Sequence, residues 1–519
     1  MIDILIQNGT IIDGSGAPAR KADLAISGER ITTIENLPNA QARQVIDARG
    51  LVVAPGFIDA HSHGDYVLPF LPTADSKIAQ GITLEVVGNC GGSMAPLSPA
   101  MREELNKDKL IETAGDKVDW ETFEGYLDRL RRQGVSVNVA PLVGHGTVRE
   151  KVMGMTDAAP TSQQLAEMKD EVARAMDAGA IGFTTGLIYT PNVYAETAEI
   201  VALAQAAAEK DGIYTSHIRG EGDTLLEAAE EALTVGRRAE IAVEISHLKA
   251  SGPRNWPKMP QVIDLIETAR REGLDVTADM YPYPASNTGM TSLIPAWAHV
   301  GGTEAFIQRL KDPATRQRLH AEVRDERWES ILIAYCPAHQ EYNGRYMHEI
   351  AAERKQHPLD AVMDILVDAN LSTDIIMFGM KEENVALGLK QPWVMIGTDG
   401  GGRAFEGPYA AGKPHPRNFA TFPRVLGKYC REEKLFPLEE AVRKMTALPA
   451  EKFRLRQRGL LKPGYFADVV LFDPLTVIDT STFVDPHQRP TGIPWVLVNG
   501  QPVIADGKHT GARPGQMVK

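Results

Sequence analysis

The chain of 519 residues carries 55 Lys and Arg against 68 Asp and Glu, a net charge of −13, with 43% hydrophobic and 24% charged residues. That length exceeds one simple core and calls for two or three structural units of ordinary soluble globular composition. The negative balance argues against a nucleic-acid or membrane-surface partner, since both need positive surface, yet leaves room for a small anionic ligand in a local cationic pocket.

The N-terminal MIDILIQNGTIIDG has no basic stretch and no long apolar run, so no signal peptide is expected. Four short runs follow that read as strands: Ile4–Gln7, Thr10–Ile12, Asp23–Ser27 and Arg30–Ile34. Asn-Gly, Asp-Gly-Ser-Gly and Ser-Gly separate them as hairpin turns would. The far end has the same texture, with strands expected at Asp468–Phe472 and Trp495–Val498 and a hairpin signal at Asn499-Gly500. Two β-rich ends around a different middle predict one small β-sandwich, residues 1–55 with 450–519.

The middle alternates. Buried-type strands are expected near Gly56–Ile58, Ile82–Gly88, Val137–Val143, Ala180–Thr185, Gly212–Ser216, Ala242–Ser246, Asp275–Met280 and Trp393–Gly397. Between them, stretches such as Ser162–Ala178 and Glu196–Glu209 have helical apolar spacing. Eight strands alternating with helices predict an α/β fold, a parallel (β/α)8 TIM-type barrel over 56–285 and 347–449. A doubly wound sheet is the alternative that periodicity alone leaves open. Residues 286–346, which include the strand-like run Ile331–Tyr335, read as an inserted subdomain near the barrel mouth. No apolar stretch approaches the length of a membrane span. Cys90, Cys336 and Cys430 are few, distant and odd in number, which predicts no disulfide framework and a cytoplasmic location.

Polar residues cluster where the barrel strands are expected to end. The first ends in His61-Ser62-His63, the second in Asn89-Cys90-Gly91, the fifth in His217, the sixth in His247 and the eighth in Thr398-Asp399-Gly400. In this fold such ends share one mouth, where active sites lie. Singly, each histidine reads as readily as a hydrogen-bonded core residue, Cys90 as a small hydrophobe and Asp-Gly as a turn. Jointly, six such residues at five strand ends predict a metal centre. Imidazole with thiolate suits zinc rather than magnesium or calcium, and a catalytic zinc lowers the pKa of water to about 7.

At this point the residues resemble a family. The GF-IDAHSH strand, single histidines on later strands and a terminal-strand aspartate resemble the amidohydrolase superfamily. VVGNCGGSMAPL (86–97), GLIYTPNVYA (186–195), SHIRGEG (216–222), ISHLKASG (245–252), ADMYPYPAS (278–286), IGTDG (396–400), KPHPRNFATFPR (413–424) and LLKPGYFADVVLFDP (460–474) are similar to its N-acyl-D-amino-acid deacylases, the D-aminoacylases. The resemblance runs in order over nearly the whole chain. It implies zinc-dependent hydrolysis of N-acyl-D-amino acids, with one tight zinc on Cys90, His217 and His247 and a second, weaker site at His61 and His63. It implies Asp399 as proton shuttle, Arg417, Lys249 and Tyr281 as receivers of the substrate carboxylate, and Tyr189 near the scissile carbonyl. The fourth strand, GAIGFTTGL, lacks the bridging lysine of hydantoinases and dihydroorotases, which fits the deacylases.

Two stretches depart from some relatives: Ser286-Asn287, which makes Asn287 a candidate substrate contact, and the long GGRAFEGPYAAGK before the HPR motif. The latter resembles the branch acting on neutral or hydrophobic D-residues. The competing readings are a D-residue dipeptidase or another amidohydrolase, and a non-catalytic binding scaffold; the full complement of ligands and the aspartate argue against the last. No oligomeric state follows from the sequence.

Overall fold

The structure is a computed structural model that describes residues 1–108, 111–112, 114–323 and 328–519. Its centre is an eight-stranded sheet of β1 (Phe57–Asp59), β2 (Ile82–Val87), β3 (Asn138–Gly144), β4 (Gly182–Gly186), β5 (Ile213–His217), β6 (Val243–Ile245), β7 (Val276–Met280) and β8 (Val394–Ile396). Strands are neighbours in chain order, and every pairing is parallel. Just past the strand ends, Asp399 N donates to His61 O at 2.8 Å and His63 N to Gly400 O at 3.0 Å, which joins β8 to β1. The sheet is a closed (β/α)8 barrel, as the alternation of strand and helix predicted.

Strand alternation sorts the side chains. Ile58, Leu84, Val86, Ala140, Leu142 and Met395 form an inner apolar cluster, whereas Phe57, Ile82, Val87, Val139 and Val143 join the larger core beneath the helices. The helix Ser162–Ala178 shows why those segments are helical. Thr161 and Gln164 form a capping box at its start, and Met168, Val172, Ala175 and Met176 recur on the one face that is buried.

Both chain ends build sheets beside the barrel. One four-stranded sheet comes from Ile2–Gln7, Asp23–Ser27, Arg30–Glu35 and Ala42–Asp47. A seven-stranded sheet mixes both ends, with Val469–Phe472 antiparallel to Val52–Pro55. Their apolar faces meet in one cluster containing Ile4, Ile6, Leu24, Val53, Val469 and Leu497. A third sheet lies between β7 and β8 in sequence. Its middle strand, Asp374–Met377, pairs antiparallel with Ser286–Gly289 on one side and Ile331–Tyr335 on the other. The expected insertion ended at 346, but this strand carries it to Met377. Helices Met347–Arg354 and Pro358–Asp368 belong to its core through Ile350, Val362 and Leu366. Among the described residues no helix is long and apolar enough to cross a membrane.

Candidate metal centre and active site

Side chains at the C-terminal ends of seven of the eight strands converge at one rim. Cys90 follows β2 in a left-handed conformation, φ 54°, between Gly88 at φ 83° and Gly91 at φ 73°. Gly91 is required by space as well: a Cβ there would lie 2.2 Å from Asn192 Oδ1 and 2.5 Å from Gly186 N. His247 and Asp399 are also left-handed, at φ 38° and 48°. Such residues persist only where their surroundings hold them, and they cluster at functional sites.

The Cys90 sulfur lies 3.4 Å from His61 Nε2, 3.6 Å from His217 Nδ1 and 3.5 Å from His247 Nε2. Ligands 2.3 Å (sulfur) and 2.0–2.1 Å (nitrogen) from a tetrahedral zinc lie about 3.6 Å from each other. The spacing and the donor chemistry therefore fit a zinc ion. Burial opposes ionisation of the Cys90 thiol, but His61 and His247 outweigh it and hold the thiol well below its ordinary range. His61, Cys90, His247 and Asp399 present ligand atoms within 4.8 Å of one another, as do His217, Glu221 and His247. A third group, His320, His357 and Asp360, lies on the inserted subdomain. There His357 Nδ1 accepts the Leu359 N–H and Arg316 stands 3.8 Å from Asp360.

Carboxylates absent from the sequence reading orient the imidazoles. Asp279 Oδ2 is 2.9 Å from His61 Nδ1, and Glu221 Oε1 is 3.0 Å from His247 Nδ1 and 2.5 Å from Lys249 Nζ. With Nε2 facing sulfur, the Asp279 contact assigns the proton to Nδ1 in His61, whereas His247 Nδ1 meets both Glu221 and the Lys249 ammonium, the latter at 2.8 Å. Carboxylate partners of this kind orient a metal-ligating imidazole and raise its basicity. Both lie in stretches already singled out, Glu221 four residues after His217 and Asp279 two before Tyr281. Nothing in residue type distinguishes them from surface acids.

Asp399 stands between His61 and His63 on one side and Arg417 on the other. Its Oδ1 is 3.2 Å from His63 Nε2 and 3.5 Å from His61 Nε2, and Arg417 Nη1 donates to its Oδ2 at 2.8 Å. Burial would raise this carboxyl, but Arg417, then the histidines, hold it well below the usual range. Burial likewise opposes protonation of His63, yet Asp399 and Cys90 raise it to about 9. Arg417 and Lys249 lie 4.7 Å and 5.7 Å from the Tyr281 ring, and its buried hydroxyl has no hydrogen-bond partner among the described residues. Tyr189 packs against His217 and shares a hydrogen bond with Thr288 Oγ1 at 3.1 Å. Asn287 reaches Arg417 through its backbone oxygen at 3.2 Å, while its side-chain amide donates to Ile375 O in the inserted sheet. A cavity of about 650 Å³ opens over these groups, lined by His63, Cys90, Tyr189, Asn287, Asp399 and Arg417.

Fold and rim define a parallel barrel with a thiolate–imidazole donor set beside a carboxylate and paired cations. The model of the Amidohydrolase family matches residues 44–504. D-aminoacylase of Alcaligenes xylosoxydans xylosoxydans is 40% identical over 99% of this chain and 97% of its own length. A crystal structure of N-acyl-D-glutamate deacylase from Bordetella bronchiseptica, complexed with zinc and a phosphonate mimic of the tetrahedral intermediate, superposes with a TM-score of 0.84. It is 38% identical and covers 100% of this chain and 99% of its own. A D-aminoacylase studied for its binuclear metal centre, with one-metal activation and second-metal attenuation, superposes with a TM-score of 0.85, at 36% identity and full coverage of both chains. This chain belongs to the amidohydrolase family and, within it, to the D-aminoacylase group.

Proposed function

We propose that this protein is a zinc-dependent hydrolase that cleaves the amide bond of N-acyl-D-amino acids, releasing a carboxylic acid and a D-amino acid. The observation that carries the reading is the Cys90 sulfur held 3.4–3.6 Å from three imidazole nitrogens with Asp399 alongside. It stands in a chain 40% identical throughout to a D-aminoacylase.

In this reading Cys90, His217 and His247 hold the tight zinc, and His61 and His63 with Cys90 hold a second, weaker one. Bound zinc supplies Lewis acidity and makes water a nucleophile near neutral pH. Asp399 accepts the proton of the attacking water and returns it to the leaving amine, which is a poor leaving group until protonated. Arg417, with a planar fork suited to carboxylates, receives the substrate's α-carboxylate together with Lys249 and the unpartnered Tyr281 hydroxyl. The Tyr189 hydroxyl stabilises the developing oxyanion. Asn287 contributes through its backbone, because its amide is committed to Ile375.

Neutral or hydrophobic D-residues are the preferred class. Val67, Phe70, Met94, Leu105 and Ile111 line the cavity, and Asp108, Glu150 and Asp374 outnumber Arg403 there, which disfavours an acidic side chain. The sandwich of both chain ends serves as support, and the insertion from 286 to 377 supplies Thr288 and Asp374 to the cavity wall. Three free cysteines, one a buried candidate thiolate ligand, support a reducing, cytoplasmic setting.

The test is the zinc content of the purified protein, with amine release measured from a panel of N-acetyl-D- and N-acetyl-L-amino acids. Bound zinc with D-selective release is expected. Equal release from both enantiomers, or turnover of dipeptides alone, would reject the substrate assignment.

A further inference from the structure

The barrel has one seam, between β1 and β8, and the candidate proton shuttle and the His61–His63 pair both stand on it. The named strands do not pair there. The seam is closed by a few backbone bonds at and beyond the strand ends, among them Ala60 N to Ile396 O at 3.2 Å and Asp399 N to His61 O at 2.8 Å. A buried ionic cluster does the remainder. Lys77, in the short helix Asp75–Ile78, sends its ammonium into the seam. Its three N–H donors are shared among Asp59 Oδ2 at 2.7 Å, Thr398 Oγ1 at 2.8 Å, Gly400 O at 2.8 Å and Ser62 Oγ at 2.9 Å. Asp59 in turn accepts from Thr398 N at 2.8 Å and Thr398 Oγ1 at 2.7 Å. Glu85 lies 3.4 Å from the ammonium and accepts from Ser62 Oγ at 2.5 Å.

The side chains of Lys77, Asp59 and Glu85 are 0% exposed, and none of the three lines the cavity. They touch neither substrate space nor the sulfur. Their contacts are with the residues immediately flanking Asp399, with the serine between the two histidines and, through Asp59 Oδ1, with the backbone N–H of His61 at 3.3 Å. Three ionisable groups in an apolar interior are expensive, and an apolar trio of equal volume is often as stable. What the ionic cluster adds is direction: one ammonium with four acceptors fixes the positions of both segments at once.

We propose that Lys77 is a positioning residue that sets the separation of Asp399 from His61 and His63. The proposal rests on the functional reading above. It is tested with Lys77→Met and with Thr398→Val, which removes one acceptor and leaves the charges paired. For each, kcat and KM are measured on the best N-acetyl-D-amino acid of the wild type. Metal-free protein is titrated with cobalt, whose thiolate absorption reports Cys90. We expect kcat to fall about 100-fold with KM within about threefold, as for a misplaced reacting group. The first cobalt equivalent should keep its thiolate band, and the second should weaken about tenfold. Wild-type-like kcat in both variants, or joint loss of kcat and the first cobalt equivalent, overturns the proposal. If Lys77→Met does not fold, Thr398→Val decides alone. If the wild type releases no amine, the functional reading falls, and the second cobalt equivalent alone judges Lys77.

Discussion

Asp399 is held by opposing demands: its backbone is left-handed, one oxygen faces two histidines and the other is bonded to Arg417. A carboxylate so constrained transfers a proton only along the directions the site allows. Asp399→Asn keeps that shape and removes the basicity. We expect it to retain the tight zinc and lose turnover by about 10²–10⁴-fold; retention of a tenth of wild-type kcat would remove Asp399 from proton transfer. Tyr189→Phe is expected to lower kcat by about 10²-fold with little change in KM, read from saturation curves on one N-acetyl-D substrate. The ligand candidates were legible in the sequence because His and Cys are distinctive types at strand ends. Glu221, Asp279 and Lys77 were not. An acid or lysine that will pair inside the barrel has the same local pattern as one facing water, and only its distant partner gives it meaning.

Elements place these residues through their ends. The β2 loop turns Cys90 inward because Gly88 and Gly91 take positive φ and Gly91 leaves room for Asn192. Gly91→Ala puts a methyl against Asn192 Oδ1 and Gly186 N, and it strains a φ of 73°. It is expected to cost more than about 1 kcal/mol in denaturant unfolding and to weaken zinc about tenfold in chelator competition. Zinc affinity and stability equal to wild type would show that the loop tolerates movement. The strands themselves were readable, because buried parallel strands are short apolar runs with sharp ends. The extent of the insertion was not. Its closing strand, Asp374–Met377, pairs with segments 89 and 42 residues earlier, as the Asn287–Ile376 and Ile333–Ile375 registers show, and no local pattern reports such a pairing.

At the scale of the whole molecule, the helix Leu438–Met445 drives Lys444 beneath β8, where its ammonium donates to the carbonyls of Gln391 and Val394. Burial lowers this amine to about 7. The unfolded chain, with an ordinary lysine near 10.4, binds a proton that the folded state lacks between those values. This group's contribution to stability therefore rises with pH from about 7 toward about 10, and its penalty is fully present below about 7. Lys444→Met removes this donor from both carbonyls at every pH, and Gln391 O keeps the Val394 N–H at 3.2 Å. Relative to wild type, it is expected to gain stability as pH falls from about 9 to about 6 in urea unfolding; a gap independent of pH would refute the assignment. Alone, the sequence determined the alternation of strand and helix, the sandwich of the two ends and the His, Cys and Asp residues at the rim, because period, turn chemistry and residue type are local properties. Only the tertiary structure decided which carboxylate orients which imidazole, that the Asn287 amide is bonded to Ile375 in the inserted sheet, where the insertion ends and that one buried lysine spans the seam. Those are relations between atoms tens to hundreds of residues apart, fixed by the tertiary fold.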